Sequence, residues 1–298
     1  MIARTLPTTL EMLTAELEKA VSLYPAELQT IPALFDAQGV FLGFDSLFID
    51  EDTPNQTTSS PTQSLAVTVD TLIADSNDST NLFSNISVEE HQSVLDKMKE
   101  LLEYPAGKLD SQSELYLEQQ LTDIIGFEVT SELDGNRLLY TTGKVKAMQH
   151  IKRHPGDTAS SHHKYSYAGL QERRSTFGWF MDQGVVTESL THKEKYFLSL
   201  QLYYLPEWKD NYKALKSWYK YKKVLLINPF DQVAVVCAVG TIGPSIPFKY
   251  QFGASPETVI EGKFWSRAAR GKALAMFIDD KTDSVPLGPV SLQRMNYA

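Results

Sequence analysis

Residues 222–280 read KKVLLINPFDQVAVVCAVGTIGPSIPFKYQFGASPETVIEGKFWSRAARGKALAMFIDD. KKVLLINP (222–229) and QVAVVCAVGT (232–241) are apolar runs of strand length, rich in branched residues, joined by the turn sequence Asn-Pro-Phe-Asp. A Gly243-Pro244 corner and a loop follow. Ser255-Pro256-Glu257 then starts a helix, serine as cap and proline in the first turn. KALAMFIDD (272–280) is strand-like again. Upstream, KYFLSLQLYYL (195–205) has the aromatic and branched content of a strand, its alternate rings belonging to the core. FEVTSELDGNRLLYTT and KVKAMQH read as short strands separated by Asp-Gly and Thr-Gly turns. About six strands with few helices beyond residue 127 predict a small closed barrel, which removes exposed sheet edges.

This order of strand, Asn-Pro turn, strand, Gly-Pro corner, loop, Ser-Pro-Glu helix start and final strand resembles the double-psi β-barrel of the rare-lipoprotein-A, expansin and barwin group. Asn228-Pro229 matches the first turn, Gly243-Pro244 the corner, and Phe252-Gly253-Ala254-Ser255 the second element; the likeness is confined to residues 222–280. It implies a barrel acting on cell-wall glycan, with an acidic residue in the corner that protonates a glycosidic oxygen. Here Thr241 holds the acid's place and Gly253 replaces the aspartate of the second element. Threonine is no proton donor near neutral pH, so Thr241 is a candidate substrate contact only. The carboxyls nearby are Asp231, Glu257 and Glu261, and Glu257 complements the dipole of the helix that Ser255 caps.

The 298-residue chain carries a net charge of -9, but its two parts differ in sign. Residues 1–135 hold 5 basic and 24 acidic side chains; residues 136–298 hold 23 and 13. Such a division marks a change of organisation near residue 130 and parts that face different partners or each other. Residues 1–50 read as helical, opening on the capping-box spacing Thr8-Thr9-Leu10-Glu11. EDTPNQTTSSPTQS begins a polar linker over 51–86. Ser87-Val88-Glu89-Glu90 and Ser111-Gln112-Ser113-Glu114 repeat the capping box and predict a helical hairpin over 87–126, with Gly126 as its stop. The expected class is therefore α+β: an acidic, mainly helical N-terminal region before a small, mostly-β barrel over 127–298.

Several classes are excluded. No run of about eighteen apolar residues exists, so no helix spans a bilayer, and the N-terminus lacks the uninterrupted apolar stretch of a secretory signal. Cys237 is the one cysteine; it has no disulfide partner within the chain, and its strand setting predicts a buried thiol.

Two stretches carry candidate chemistry. His150, His154, Asp157, His162 and His163 lie within fourteen residues. Neutral imidazole and carboxylate are zinc ligands, which makes His150, His154, Asp157 and His162 a possible metal set. Two other readings stand beside it: a catalytic pair in which His154 and Asp157 bind or protonate a glycan hydroxyl, or a solvated or hydrogen-bonded loop. From Lys193 to Lys223, lysines interleave with aromatic rings, which stack on sugars while the lysines attract anions. Trp208, Trp218, Tyr219, Tyr221 and Lys222 are the candidate substrate contacts there.

The expected function is binding or remodelling of an anionic, peptidoglycan-like glycan, with Thr241 leaving open whether the bond is cut; if it is, Asp157 with His154 would do it. The alternatives are a structural component of a phage tail or injection-type assembly, and a zinc-dependent cell-wall peptidase. These place its action outside the cytoplasm or in a virion. Nucleic acid is the least favoured partner, because the whole chain is acidic and no recognised motif accompanies the basic patch.

Overall fold

A computed structural model describes residues 87–244 and 249–293. The helical segment expected over 1–50 and the linker over 51–86 lie outside the described residues.

Two helices come first. In α1 (Val88–Leu101) the Ser87 hydroxyl accepts from the Glu90 backbone N–H at 3.1 Å and the Glu90 carboxylate accepts from the Ser87 N–H at 2.8 Å, a reciprocal capping box as expected. In α2 (Ser111–Ile125) the cap lies one residue before the expected serine: Asp110 accepts from the N–H groups of Gln112 and Ser113 at 3.0 and 2.9 Å. A carboxylate is the stronger acceptor at the positive end of a helix. Gly126 ends α2 in the left-handed region, at φ 79°.

The strands follow: β1 (Val129–Thr130), β2 (Glu132–Leu133), β3 (Asn136–Arg137), β4 (Thr142–Ala147), β5 (Phe197–Leu200), β6 (Lys223–Asn228), β7 (Val233–Ile242), β8 (Phe252–Ala254), β9 (Lys272–Ile278) and β10 (Gly288–Ser291). Asp134 and Gly135, both at positive φ, make the expected tight turn between β2 and β3. The expected Thr-Gly turn is absent: Thr142 and Gly143 pair with Leu274 and Ala273 inside the sheet.

Six strands close into a mixed barrel in the order β4-β8-β5-β7-β6-β9, with β9 returning to β4. The pairs β4·β8 and β5·β7 are parallel and the other four antiparallel. β1 extends the sheet from β9, and β10 extends it from β7. Along β6, β7 and β9 the side chains alternate strictly. Val224, Leu226, Val235, Cys237, Ala275 and Phe277 join a cluster fed by all six barrel strands, which is the barrel interior. Leu225, Ile227, Val236, Leu274 and Met276 point outward, under the Leu95, Met98, Leu117 and Leu121 faces of α1 and α2. Both faces of these strands are buried, so they read as continuous apolar runs. The helical hairpin and the barrel share one core.

Three further helices lie between the strands: α3 (Glu188–Lys195), α4 (Trp208–Tyr219) and α5 (Pro256–Glu261). The strand expected over 195–205 is only partly present. β5 stops at Leu200 and the chain turns into a 3-10 helix at Leu202–Tyr204, which leaves Tyr203 and Tyr204 exposed at 52% and 41% rather than in the core. The lysine-rich run that follows is helix α4, anchored by buried Leu215 and Tyr219. At α5, Ser255 accepts from the Thr258 N–H at 3.2 Å with Pro256 in the first turn, as the Ser-Pro-Glu sequence predicts.

Candidate functional site

Four buried ionisable side chains from four separate segments converge beside the barrel. His150 follows β4 and is held by a bridge to Leu170. His162 stands on a 3-10 helix (Ala159–Ala168), Glu194 on α3 and Glu257 on α5. All four are buried, His162 the most exposed of them at 6%. The imidazole rings lie 4.5 Å apart between centroids.

Each imidazole is held at Nε2 and turns Nδ1 toward the carboxylates. His150 Nε2 lies 3.1 Å from the Tyr165 carbonyl, to which it must donate, and His162 Nε2 lies 3.1 Å from Asp157 Oδ2. On the inner side, His162 Nδ1 is 3.1 Å from Glu194 Oε2, while His150 Nδ1 is 3.6 Å from Glu194 Oε1 and 3.7 Å from Glu257 Oε2. The Ile151 N–H donates to Glu194 Oε1 at 3.0 Å. His150 Nδ1 and Glu257 Oε2 are buried without a hydrogen-bond partner.

Charge couples these groups. Burial pushes the His150 imidazole down, but the Glu194 and Glu257 carboxylates beside it prevail and raise it above its ordinary value. Burial acts to raise Glu194, and the two histidines overcome it and hold the carboxyl below the usual range. Glu257, without a close donor of that kind, is pushed up by burial to about 7. Three imidazole- or carboxylate-bearing residues, His150, His162 and Glu194, bring one ligand atom each to within 4.8 Å of one another.

The sequence-predicted residues fall into separate places. Of the expected metal set, His150 and His162 come together. Asp157 stands behind His162, its carboxylate taken by the Arg153 N–H at 2.8 Å, Arg153 Nε at 3.1 Å, the Thr158 N–H at 3.0 Å and the Ser161 hydroxyl. Burial works to raise it, yet the bonds from Arg153 and Ser161 hold it well below the usual carboxylate range. His154 is half-buried, and the carbonyl oxygen of its backbone accepts from the Asp157 N–H at 3.1 Å.

At the Gly-Pro corner, Ser199 pairs in register with both Thr241 and Gly253, so the two positions where the resemblance expects carboxyls flank one serine. The Thr241 hydroxyl lies 3.2 Å from that of Thr176. A Cβ at 253 would stand 2.4 Å from Met148 Sδ and 3.1 Å from Ser199 Cβ, so a side chain there would require Met148 to move aside.

On α4, Tyr219 is fully buried and donates to the Arg137 carbonyl at 2.6 Å. Trp218 Nε1 and Lys222 Nζ both bond Asp134, at 3.1 and 3.2 Å, with Lys222 over the Trp218 ring. The half-buried Tyr221 packs against Phe180 at 5.7 Å. Trp208 belongs to a more exposed group: its ring lies 5.3 Å from Tyr203 and 6.5 Å from Tyr212. Lys209 and Lys213 are exposed on the same helix.

Tyr203, Tyr212, Glu194 and Glu257 are the members of these groups that sequence reasoning did not select. The i,i+4 spacing of Trp208 and Tyr212 carried the signal for the ring group, once 208–219 is read as a helix. In comparisons with known proteins, no family model, no curated protein and no solved structure matches this chain.

Proposed function

We propose that the chain is a binding protein built on a double-psi type of barrel, which holds an anionic, peptidoglycan-like glycan without cutting it at the Gly-Pro corner. The observation that carries this reading is the train of rings Tyr203–Trp208–Tyr212, the two tyrosines exposed and the tryptophan between them half-buried, with Lys209 and Lys213 beside it. Ring faces stack on the apolar faces of sugars, and lysines supply a screened attraction to carboxylate or phosphate. Support for the barrel type comes from closure of six mixed strands and from the placing of Thr241 and Gly253 on either side of Ser199. Support for binding without cleavage comes from that same corner: threonine and glycine hold the two acid positions, and Met148 crowds the second. The zinc-peptidase alternative is less favoured, because the His–Glu cluster is closed against solvent and presents no face to a polymer.

Retention of the full chain on purified sacculi tests the proposal. Binding is expected at low salt, weakening as salt rises, and a Tyr203→Ala/Tyr212→Ala double variant is expected to bind about tenfold more weakly through lost stacking. Equal retention of variant and wild type, or none of either, overturns it.

A further inference from the structure

The paired orientation of the two histidines has a use that glycan binding does not require. We infer that His150, His162, Glu194 and Glu257 form a closed structural site for one zinc-class divalent cation. The ligand atoms are His150 Nδ1, His162 Nδ1, one oxygen of Glu194 and Glu257 Oε2.

Four observations carry this. First, both imidazoles are fixed through Nε2, one by the Tyr165 carbonyl and the other by the Asp157 carboxylate. A carbonyl or carboxylate behind the ring is the usual outer shell of a metal-bound histidine, setting its tautomer and aiming the other nitrogen. Second, Asp157 is itself pinned by Arg153 and Ser161, so the orienting group is rigid. Third, ligands about 2.0–2.2 Å from a tetrahedral ion stand roughly 3.3–3.6 Å apart. His162 Nδ1 stands 3.1 Å from Glu194 Oε2, and His150 Nδ1 stands 3.6 Å from Glu194 Oε1 and 3.7 Å from Glu257 Oε2, close to that range. The ligand atoms of His150, His162 and Glu194 all fall within 4.8 Å of one another, a spread that modest side-chain rotation would draw in. Fourth, His150 Nδ1 and Glu257 Oε2 are buried, face each other and share no hydrogen bond. At 3.7 Å they stand beyond hydrogen-bond reach, and leaving two such groups unpaired in the interior is costly.

Two imidazoles and two carboxylates suit zinc and its first-row neighbours; calcium and magnesium prefer all-oxygen shells. Burial of all four residues marks the site as structural. The ion would tie the consecutive pieces after β4 (the loop at His150, the 3-10 helix and α3) to α5, which lies more than sixty residues further along the chain. Binding energy at such a site is folding energy.

Elemental analysis of the full chain, purified without chelator, is expected to find about one zinc-class ion per chain. Stripping the ion should lower Tm, and zinc should restore it. Cobalt(II) added to the stripped chain should give the intense visible bands of a tetrahedral site. Glu257→Gln should weaken zinc binding at least about tenfold, while His154→Ala, outside the ligand set, leaves it unchanged. Fewer than about 0.1 ion per chain together with no Tm response to zinc or cobalt overturns the inference without needing any variant. So does a bound ion that is retained in Glu257→Gln and lost in His154→Ala. Sacculus retention is a separate readout, so failure of the glycan reading and failure of this one are told apart.

Discussion

Lys223 Nζ lies 2.6 Å from Asp280 Oδ2, with the two side chains 8% and 4% exposed. The pair joins the start of β6 to the turn after β9. The Asp280 carboxylate also accepts from the N–H groups of Ser284 and Val285, both at 2.9 Å, and Lys223 donates to the Val285 carbonyl. Burial acts to raise the carboxyl, but these donors, Lys223 first, bring it down to about 2. Its folded value lies below its unfolded one, so the stabilisation is fully present above about pH 4 and disappears as pH falls through about 2, a change of the order of 2 kcal/mol. Unfolding free energies measured down that range should therefore fall by about 2 kcal/mol more for wild type than for a Lys223→Met/Asp280→Asn double variant. Lys223→Met alone, which strands a buried carboxylate, should cost about 3–5 kcal/mol near neutral pH.

Gly240 sits inside β7, where a Cβ would stand 2.6 Å from Phe197 Cβ and 3.2 Å from Phe180 Cζ. Neither ring is free to retreat, since both are fully buried in one cluster with Ile151. Gly240→Ala should therefore lower stability by about 1–3 kcal/mol by overpacking, without altering the strand register. Chemical denaturation measures the loss, and an unchanged midpoint would mean that the two phenylalanines repack freely.

The barrel was legible in the sequence wherever one local rule dominated. KVLLIN, AVVCAV and KALAMFI are unbroken apolar runs because one face fills the barrel and the other lies under α1 and α2. Asn228 announced its turn because its side chain accepts from the Phe230 and Asp231 N–H groups. The aromatic segment misled for the opposite reason. Tyr203 and Tyr204 have strand propensity, but they are surface rings of a short 3-10 turn, and tertiary anchoring of Leu215 and Tyr219 sets the helix after them. β10 escaped notice because Gly288 and Pro289 are poor strand residues, tolerated at this sheet edge. Half of the buried cluster was visible as a density of histidines. The other half was not, because Glu194 and Glu257 approach His150 through barrel closure and no sequence spacing relates them.

Leu95 of α1 and Leu121 of α2 are fully buried against the outer face of β6, β7 and β9. A helical hairpin that shares its core with the barrel unfolds with it. Leu95→Ala or Leu121→Ala should cost about 3 kcal/mol, from lost burial and the cavity left behind, and the loss should appear in a single cooperative transition. Helical circular dichroism and tryptophan fluorescence should report the same shifted midpoint. A helical transition that separates from an unshifted fluorescence transition would show the hairpin to be an independent unit.

Cys237 lies in the middle of β7, fully buried, paired through the backbone with Val224 of β6. Burial raises its thiol to about 12, against a smaller opposite pull from the Thr258 hydroxyl. The thiolate is the reactive form, so at pH 8 only about one molecule in ten thousand would carry it even if reagent reached the sulfur. Reagent does not reach it while β6 and β7 remain paired on one side and Thr258 of α5 stands 3.8 Å from the sulfur on the other. Labelling by a disulfide reagent should therefore be negligible in the native protein and complete, at one thiol per chain, in denaturant. Its native rate should track opening of the barrel, slowing with every stabilising condition and quickening in Gly240→Ala and Leu121→Ala by the factor that their lost stability dictates. Fast labelling of the native chain, insensitive to those substitutions, would show that the β6·β7 pair opens locally and that the barrel is not closed there in solution.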